Sequence, residues 1–308
     1  MGRWFTGAVL LAAAGIALAS GTASSVAAPT QLCGTRTDPP AVYDHVVLLV
    51  FENKDQGMVL DSPYAPYLQS LAAQCGRGTN VHEQVGSPSL ANYIALTAGN
   101  LGSPTTITKF LGPRKAPQDS VSIFEQLGTD WTEYAEDATT PCQFSGSREY
   151  ALGHVPSLYF SRIAAACKQR TLPMPATPDL SRRFTLLTPN LHNIMHEDNA
   201  AGTTTQIQRT QFGDLWASQY LPKVFDSPEY RGGRTVVIIT WDEGTAKRSD
   251  IPFIVISPYT PVGYRTAQYF DHYSTLKGMQ QMLGLSPLLG HAADPGVVSI
   301  SRKFGLSP

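Results

Sequence analysis

Two apolar runs in this chain end in adjacent oxygen-bearing side chains. HVVLLVF, residues 45–51, leads into Glu52 and Asn53, and TVVIITW, residues 235–241, leads into Asp242, Glu243 and then Gly244. Acidic residues at strand ends are ordinarily solvated, so either pair alone carries little weight. Together they describe three carboxylates and one amide, a set that repels itself at one sheet edge unless a cation neutralises it. Every donor is oxygen, which suits one hard divalent ion, Ca²⁺, Mg²⁺ or Mn²⁺, better than a thiolate-seeking one. Successive strand side chains point to opposite faces, so each pair shares a site only where the backbone turns. Gly244 makes such a turn available to the second pair.

A nucleophile for chemistry beside that ion is found in Ser87-Pro88-Ser89-Leu90-Ala91-Asn92-Tyr93. Leu90, Tyr93, Ile94 and Thr97 share one helical face and Gly99 follows, so Ser89 stands at a helix N-terminus. Serine there is a favoured N-cap, which is the bland alternative. The functional alternative is that the free N–H groups and positive end of the helix favour a phosphoryl group carried by the serine. Acyl transfer is disfavoured, because no serine lies in G-x-S-x-G. Of the seven histidines, His196 follows the FTLLTP segment among polar residues and is placed to protonate a leaving alcohol. His272 opens the last amphipathic stretch, where catalytic and structural or capping roles stand level.

The elements that must position these groups alternate. Residues 45–51, 184–188, 235–241 and 253–257 are apolar, β-branched runs of the kind buried on both faces of a parallel sheet. Between them, Tyr64, Tyr67, Leu68 and Leu71 fit one helical face, as do Phe212, Leu215, Trp216 and Tyr220, and later Phe270, Tyr273, Leu276, Met279 and Leu283; all are expected to pack in the core. The alternation predicts a three-layer α/β/α sandwich with a mostly parallel central sheet, and ligands in such sheets bind at the carboxyl ends of the strands. Residues 101–118 and 172–182, rich in Pro, Gly and Ser, read as surface loops.

Arg3, the apolar run 5–19 and the small residues near 25–27 read as an export signal covering residues 1–27. The remaining residues, 28–308, are expected to form a single domain, secreted, monomeric and without stable membrane insertion. A net charge of −1 and 15% charged residues give no basic footprint for nucleic acid. Cys33, Cys75, Cys142 and Cys167 make an even count in an exported chain and predict two disulfides; of three pairings, the sequential one is favoured.

Five blocks resemble the phosphoesterase family of bacterial secreted acid phosphatases, which share the alkaline-phosphatase-like fold with phospholipase C-type enzymes. They are HVVLLVFENK, PSLANYIALTAGN, the YAED to GHVPSLYF stretch, FTLLTPNLHNIMHED with GDLW, and TWDE with IPFIVISP and HYSTL. The resemblance implies that Glu52, Asn53, Asp242 and Glu243 hold a single metal ion, that Ser89 completes its shell and attacks phosphorus, and that a phosphoseryl intermediate is then hydrolysed. It matches His196 to the histidine of the family's M-H-D segment and places Asn92 and His154 near the phosphate. The implied activity is an acid phosphatase acting on small phosphomonoesters or phosphoinositides. A phospholipase C-like phosphodiesterase is the alternative on the same fold, disfavoured by Ser89 where such relatives commonly carry Thr; a non-catalytic binding protein is the third reading. Ser87, Ala91, Gly153, Ile194 and Glu197 depart from the family pattern, while the expected metal set and nucleophile are intact.

Overall fold

The computed structural model describes residues 1–2, 31–103, 111–196, 205–246 and 250–307. The chain divides into Met1–Thr30 and a second unit, Gln31–Pro308, to which every element below belongs. The expected export signal lies outside the described residues apart from its first two.

The strands are β1 (His45–Phe51), β2 (Gly76–Gly78), β3 (Val81–His82), β4 (Trp131–Ala135), β5 (Thr171–Pro173), β6 (Phe184–Thr188), β7 (Thr235–Trp241), β8 (Phe253–Ile256), β9 (Tyr264–Thr266) and β10 (Phe270–Asp271). Eight of them form one sheet in the order β5-β4-β6-β1-β7-β8-β2-β9, and β10 pairs with β3 in a second, small one. From β5 through β7 every pairing is parallel; β8 runs antiparallel to both β7 and β2. The runs at 45–51, 184–188 and 235–241 are strands with the expected limits, and β8 stops one residue short of Ser257. These central strands are buried on both faces, which is why they read as continuous apolar runs without polar alternation.

The α-helices are α1 (Gln56–Val59), α2 (Pro66–Gln74), α3 (Ser89–Ala98), α4 (Ile123–Gln126), α5 (Cys167–Arg170), α6 (Gln206–Phe225), α7 (Pro228–Arg231), α8 (His272–Met282) and α9 (Ile300–Lys303). One packed group comprises α1, α2, α6 and α7, and another α3, α4, α8 and α9, so the sheet with its helices makes the expected α/β sandwich. No described helix is long and apolar enough to cross a membrane.

Three sequence expectations are corrected. Phe270 belongs to β10 and not to the last helix, which Asp271 caps by accepting from the Ser274 amide. Leu215 is exposed: the buried face of α6 runs through Gly213, Trp216, Ala217, Tyr220 and Leu221, and Leu215 falls beside it. The loop expected from 172 starts later, since Leu172 and Pro173 lie in β5. The disulfides pair sequentially, Cys33 with Cys75 and Cys142 with Cys167.

Helix α2 starts at Pro66 after Ala65, which has no side chain able to cap it. Asp214 of α6 supplies the missing acceptors, its carboxylate receiving the amides of Tyr67 at 3.1 Å and Leu68 at 2.8 Å. A carboxylate at a helix N-terminus satisfies orphan donors and complements the dipole. Asp214→Ala is expected to lower stability by about 2 kcal/mol, seen as a reduced urea midpoint with unchanged slope; an unmoved midpoint would remove Asp214 as the cap.

Candidate active site

The parallel register pairs Phe51 with Trp241, so the next residues, Glu52 and Asp242, leave neighbouring strands side by side and with the same orientation. The Asp242 amide donates to the Phe51 carbonyl, which carries the pairing one step past the strand end. Beyond Glu52 the backbone turns at Asn53, a non-glycine residue at φ 44°. Asparagine tolerates the left-handed region better than most residues, and this turn brings the Asn53 amide within 3.5 Å of Asp242 Oδ1.

Ser89 is the first residue of α3, after Pro88, and its side chain makes no capping bond. Its hydroxyl instead donates to Glu52 Oε2 at 2.9 Å, with both residues buried. The hydroxyl of Ser89 also stabilises the Asp242 carboxylate. Nucleophile candidate and both strand-end acids therefore meet in a dry environment. Burial first, then the charges of Asp242 and Glu243, pushes the Glu52 carboxyl well above its ordinary value, against opposing interactions from Ser89 and Tyr93. Burial pushes Asp242 up to about 7, against the opposing influence of the nearby Ser89 and Glu52 side chains.

His154 and His196 complete the far side. His154 Nε2 lies 3.2 Å from Glu52 Oε1 but outside hydrogen-bond alignment, so that oxygen accepts no bond. The His154 ring stacks on Tyr93 at 5.5 Å and stands 5.5 Å from the His196 ring. Burial, followed by repulsion from His196, holds His154 well below the ordinary histidine value, and the neutral ring results.

The residues fit a divalent cation. Glu52 Oε1, Asn53 Oδ1 and Asp242 Oδ2 are buried oxygens without a hydrogen-bond partner, and leaving such acceptors unmade is costly. They are the hard donors that Ca²⁺, Mg²⁺ or Mn²⁺ takes. Ligand atoms of Glu52, His154 and His196 also lie within 4.8 Å of one another, so Glu52 stands between an oxygen set and a nitrogen-bearing one.

Two expected site residues are occupied elsewhere. Asn92, fully buried, accepts the amides of Gln84 and Val85 and donates to the Val85 carbonyl and, at 3.3 Å, to Glu243 Oε2. It ties the segment before Ser89 to α3 and holds the Glu243 side chain. His272 Nε2 donates to the Asp242 carbonyl at 2.6 Å, and burial lowers its pKa to about 4. Neutral and bonded to the Asp242 main chain, it fixes that strand end.

Sequence reasoning missed several supports. Glu136 follows β4 and accepts from the Asn190 amide, the Asn193 side chain and Trp216 Nε1, which pins the segment leading to His196. Glu136 and Trp216 lie in the YAED and GDLW blocks, the signal that could have found them. Glu133, fully buried in β4, accepts from the Ser157 amide at 3.0 Å and from Thr188 Oγ1, which also donates to the His154 carbonyl.

The fold is similar to that of a protein of the alkaline phosphatase superfamily from Vibrio parahaemolyticus, matched at TM-score 0.58 and 14% identity and covering 87% of this chain and 74% of that one. The lipoteichoic acid synthase LtaP of Listeria monocytogenes matches at 0.54 and 12%, covering 87% and 75%. Residues 52–286 match the phosphoesterase family, and the chain belongs to that family of phosphoric-ester hydrolases. It is 27% identical to a phosphatidylinositol-3-phosphatase of Mycobacterium tuberculosis over 291 residues, 92% of this chain and 91% of the relative. It is 22% identical to a probable acid phosphatase of Kluyveromyces lactis, over 90% and 67%.

Glu133 generates a pH prediction. Burial raises its carboxyl from 4.5 to about 8, so the folded protein holds the proton that the unfolded chain releases near 4.5. The associated stability is complete below about pH 4.5 and is lost as pH rises through about 8, by up to about 1.4 kcal/mol per unit. Glu133→Gln keeps a neutral side chain at all pH. Its stability relative to the native chain is expected to rise between pH 5 and 8 in urea titrations; a constant difference would mean that Glu133 is ionised in the fold.

Proposed function

We propose that this chain is an exported, metal-dependent acid phosphatase that cleaves phosphomonoesters through a phosphoserine at Ser89. The observation that carries the reading is the Ser89 hydroxyl, which leaves its helix uncapped and donates to Glu52 Oε2 in a buried site. Export is supported by the charged and apolar N-terminal pattern and by two disulfides.

Glu52, Asn53 and Asp242 would hold one divalent ion, with the Ser89 oxygen and Glu243 beside it; Ca²⁺, Mg²⁺ or Mn²⁺ suits the oxygen donors. The ion, when bound, supplies positive charge that offsets the acids and stabilises charge on phosphate oxygens. Glu52 Oε2 fixes the Ser89 oxygen and accepts its proton as Oγ bonds to phosphorus. The bond from phosphorus to the ester oxygen breaks, and His196 delivers a proton to the departing alcohol. Water then gives a proton to His196 and attacks phosphorus from the vacated side, the Oγ–P bond breaks, and the proton held by Glu52 returns to Ser89 Oγ. The N-terminal end of α3 adds favourable potential for the phosphoryl group throughout. Phosphoinositide is one candidate substrate, by likeness to the mycobacterial relative named for it.

Ser89→Ala is expected to stay folded, with an unchanged circular dichroism spectrum, and to lose at least about a thousandfold in phosphatase turnover. Near-native turnover in that variant would place the nucleophile elsewhere.

A further inference from the structure

Lys54 is a fully buried lysine that the proposed chemistry does not use. Its ammonium donates to the Asn53 carbonyl at 2.9 Å and to the Met195 carbonyl at 2.7 Å. Both acceptors belong to left-handed, non-glycine residues, Asn53 at φ 44° and Met195 at φ 73°, a conformation that L-residues adopt only when their surroundings over-determine it. Asn53 immediately follows Glu52, which holds the Ser89 hydroxyl, and Met195 immediately precedes His196. One charge thus bridges the turn behind the nucleophile and the turn that presents the proton donor.

The side chain of Met195 is held separately. It packs onto α6 at Gly213, where an added Cβ would lie 2.4 Å from both Met195 Cγ and Cε and 3.0 Å from the Asn193 carbonyl oxygen. The Glu52 amide donates to the Ile194 carbonyl at 2.9 Å, so the two turns are also joined along the backbone. An in-line displacement needs its attacking and departing sides at a fixed span, and small displacements of such groups weaken turnover sharply.

We infer that Lys54 and Gly213 are positioning residues for His196: Lys54 ties the Met195 carbonyl to the strand end that carries Glu52, and Gly213 leaves the hole that seats the Met195 side chain. The inference rests on the reading of Ser89 as nucleophile and His196 as proton donor. Losing the position of a proton donor harms esters of poor leaving groups and spares those whose leaving group needs no proton. A generally loosened fold harms both alike.

The test measures turnover of glycerol 2-phosphate and 4-nitrophenyl phosphate for Lys54→Met, Gly213→Ala, His196→Ala and the Lys54→Met/His196→Ala double variant. Lys54→Met is expected to lose at least tenfold more on the alkyl than on the aryl ester, as His196→Ala does, and the double variant to fall less than about threefold below His196→Ala, because residues acting as one unit are not additive. Gly213→Ala is expected to show the same alkyl-specific loss and reads the seat independently should Lys54→Met fail to fold. Equal losses on both esters, or multiplicative losses in the double variant, overturn the inference while leaving the proton donor in place. If His196→Ala itself shows no leaving-group dependence, both the inference and the reading beneath it fall.

Discussion

Mutual repulsion between two buried carboxylates is the constraint around which this molecule is arranged. The pairing of Phe51 with Trp241 in a parallel sheet obliges Glu52 and Asp242 to emerge together, and burial denies them water. Low dielectric strengthens every interaction in that space, repulsive ones included. The neighbourhood answers with donors aimed at the pair and its backbone: the Ser89 hydroxyl on Glu52, the Asn53 amide near Asp242 and the His272 ring on the Asp242 carbonyl. What those donors leave unsatisfied is a set of buried oxygens suited to a hard cation.

The helices around the sheet serve this arrangement in different ways. Helix α3 is buried along its whole length, with Ser89, Asn92 and Thr97 hydrogen-bonded among its apolar residues. Helix α6 acts as a brace: Gly213 admits Met195, Asp214 caps α2, and Trp216 donates to Glu136 beneath the segment ending at His196. A contiguous stretch of one helix thus steadies three pieces of chain that are far apart in sequence.

The strands that carry the site were legible because burial on both faces leaves an unmistakable apolar run, as in residues 45–51 and 235–241. β4 was not, since Trp131–Ala135 contains Thr132 and Glu133, whose burial depends on partners such as Ser157 and Thr188 brought by tertiary folding. β2, with two glycines in three residues, carries no pattern to read. Ser89 was recognisable by type and by its place before a helix, but the choice between capping and contact with Glu52 is a rotamer, which no spacing encodes. The same holds for Asn92, whose amide bonds to the loop at residues 84 and 85 and to Glu243. His272 shows the converse limit: its position next to the site was apparent, while its bond to a main-chain carbonyl depends on where β7 ends.

The central claim is that two strand-end acids and a serine oxygen surround one cation. Anomalous diffraction from crystals grown with Mn²⁺ and vanadate tests it most directly. The account predicts a single manganese peak at coordination distance from Glu52, Asn53 and Asp242 oxygens, with vanadium bonded to Ser89 Oγ. A peak held by His154 and His196 and out of reach of Asp242, or vanadium bonded to any other side chain, would contradict it.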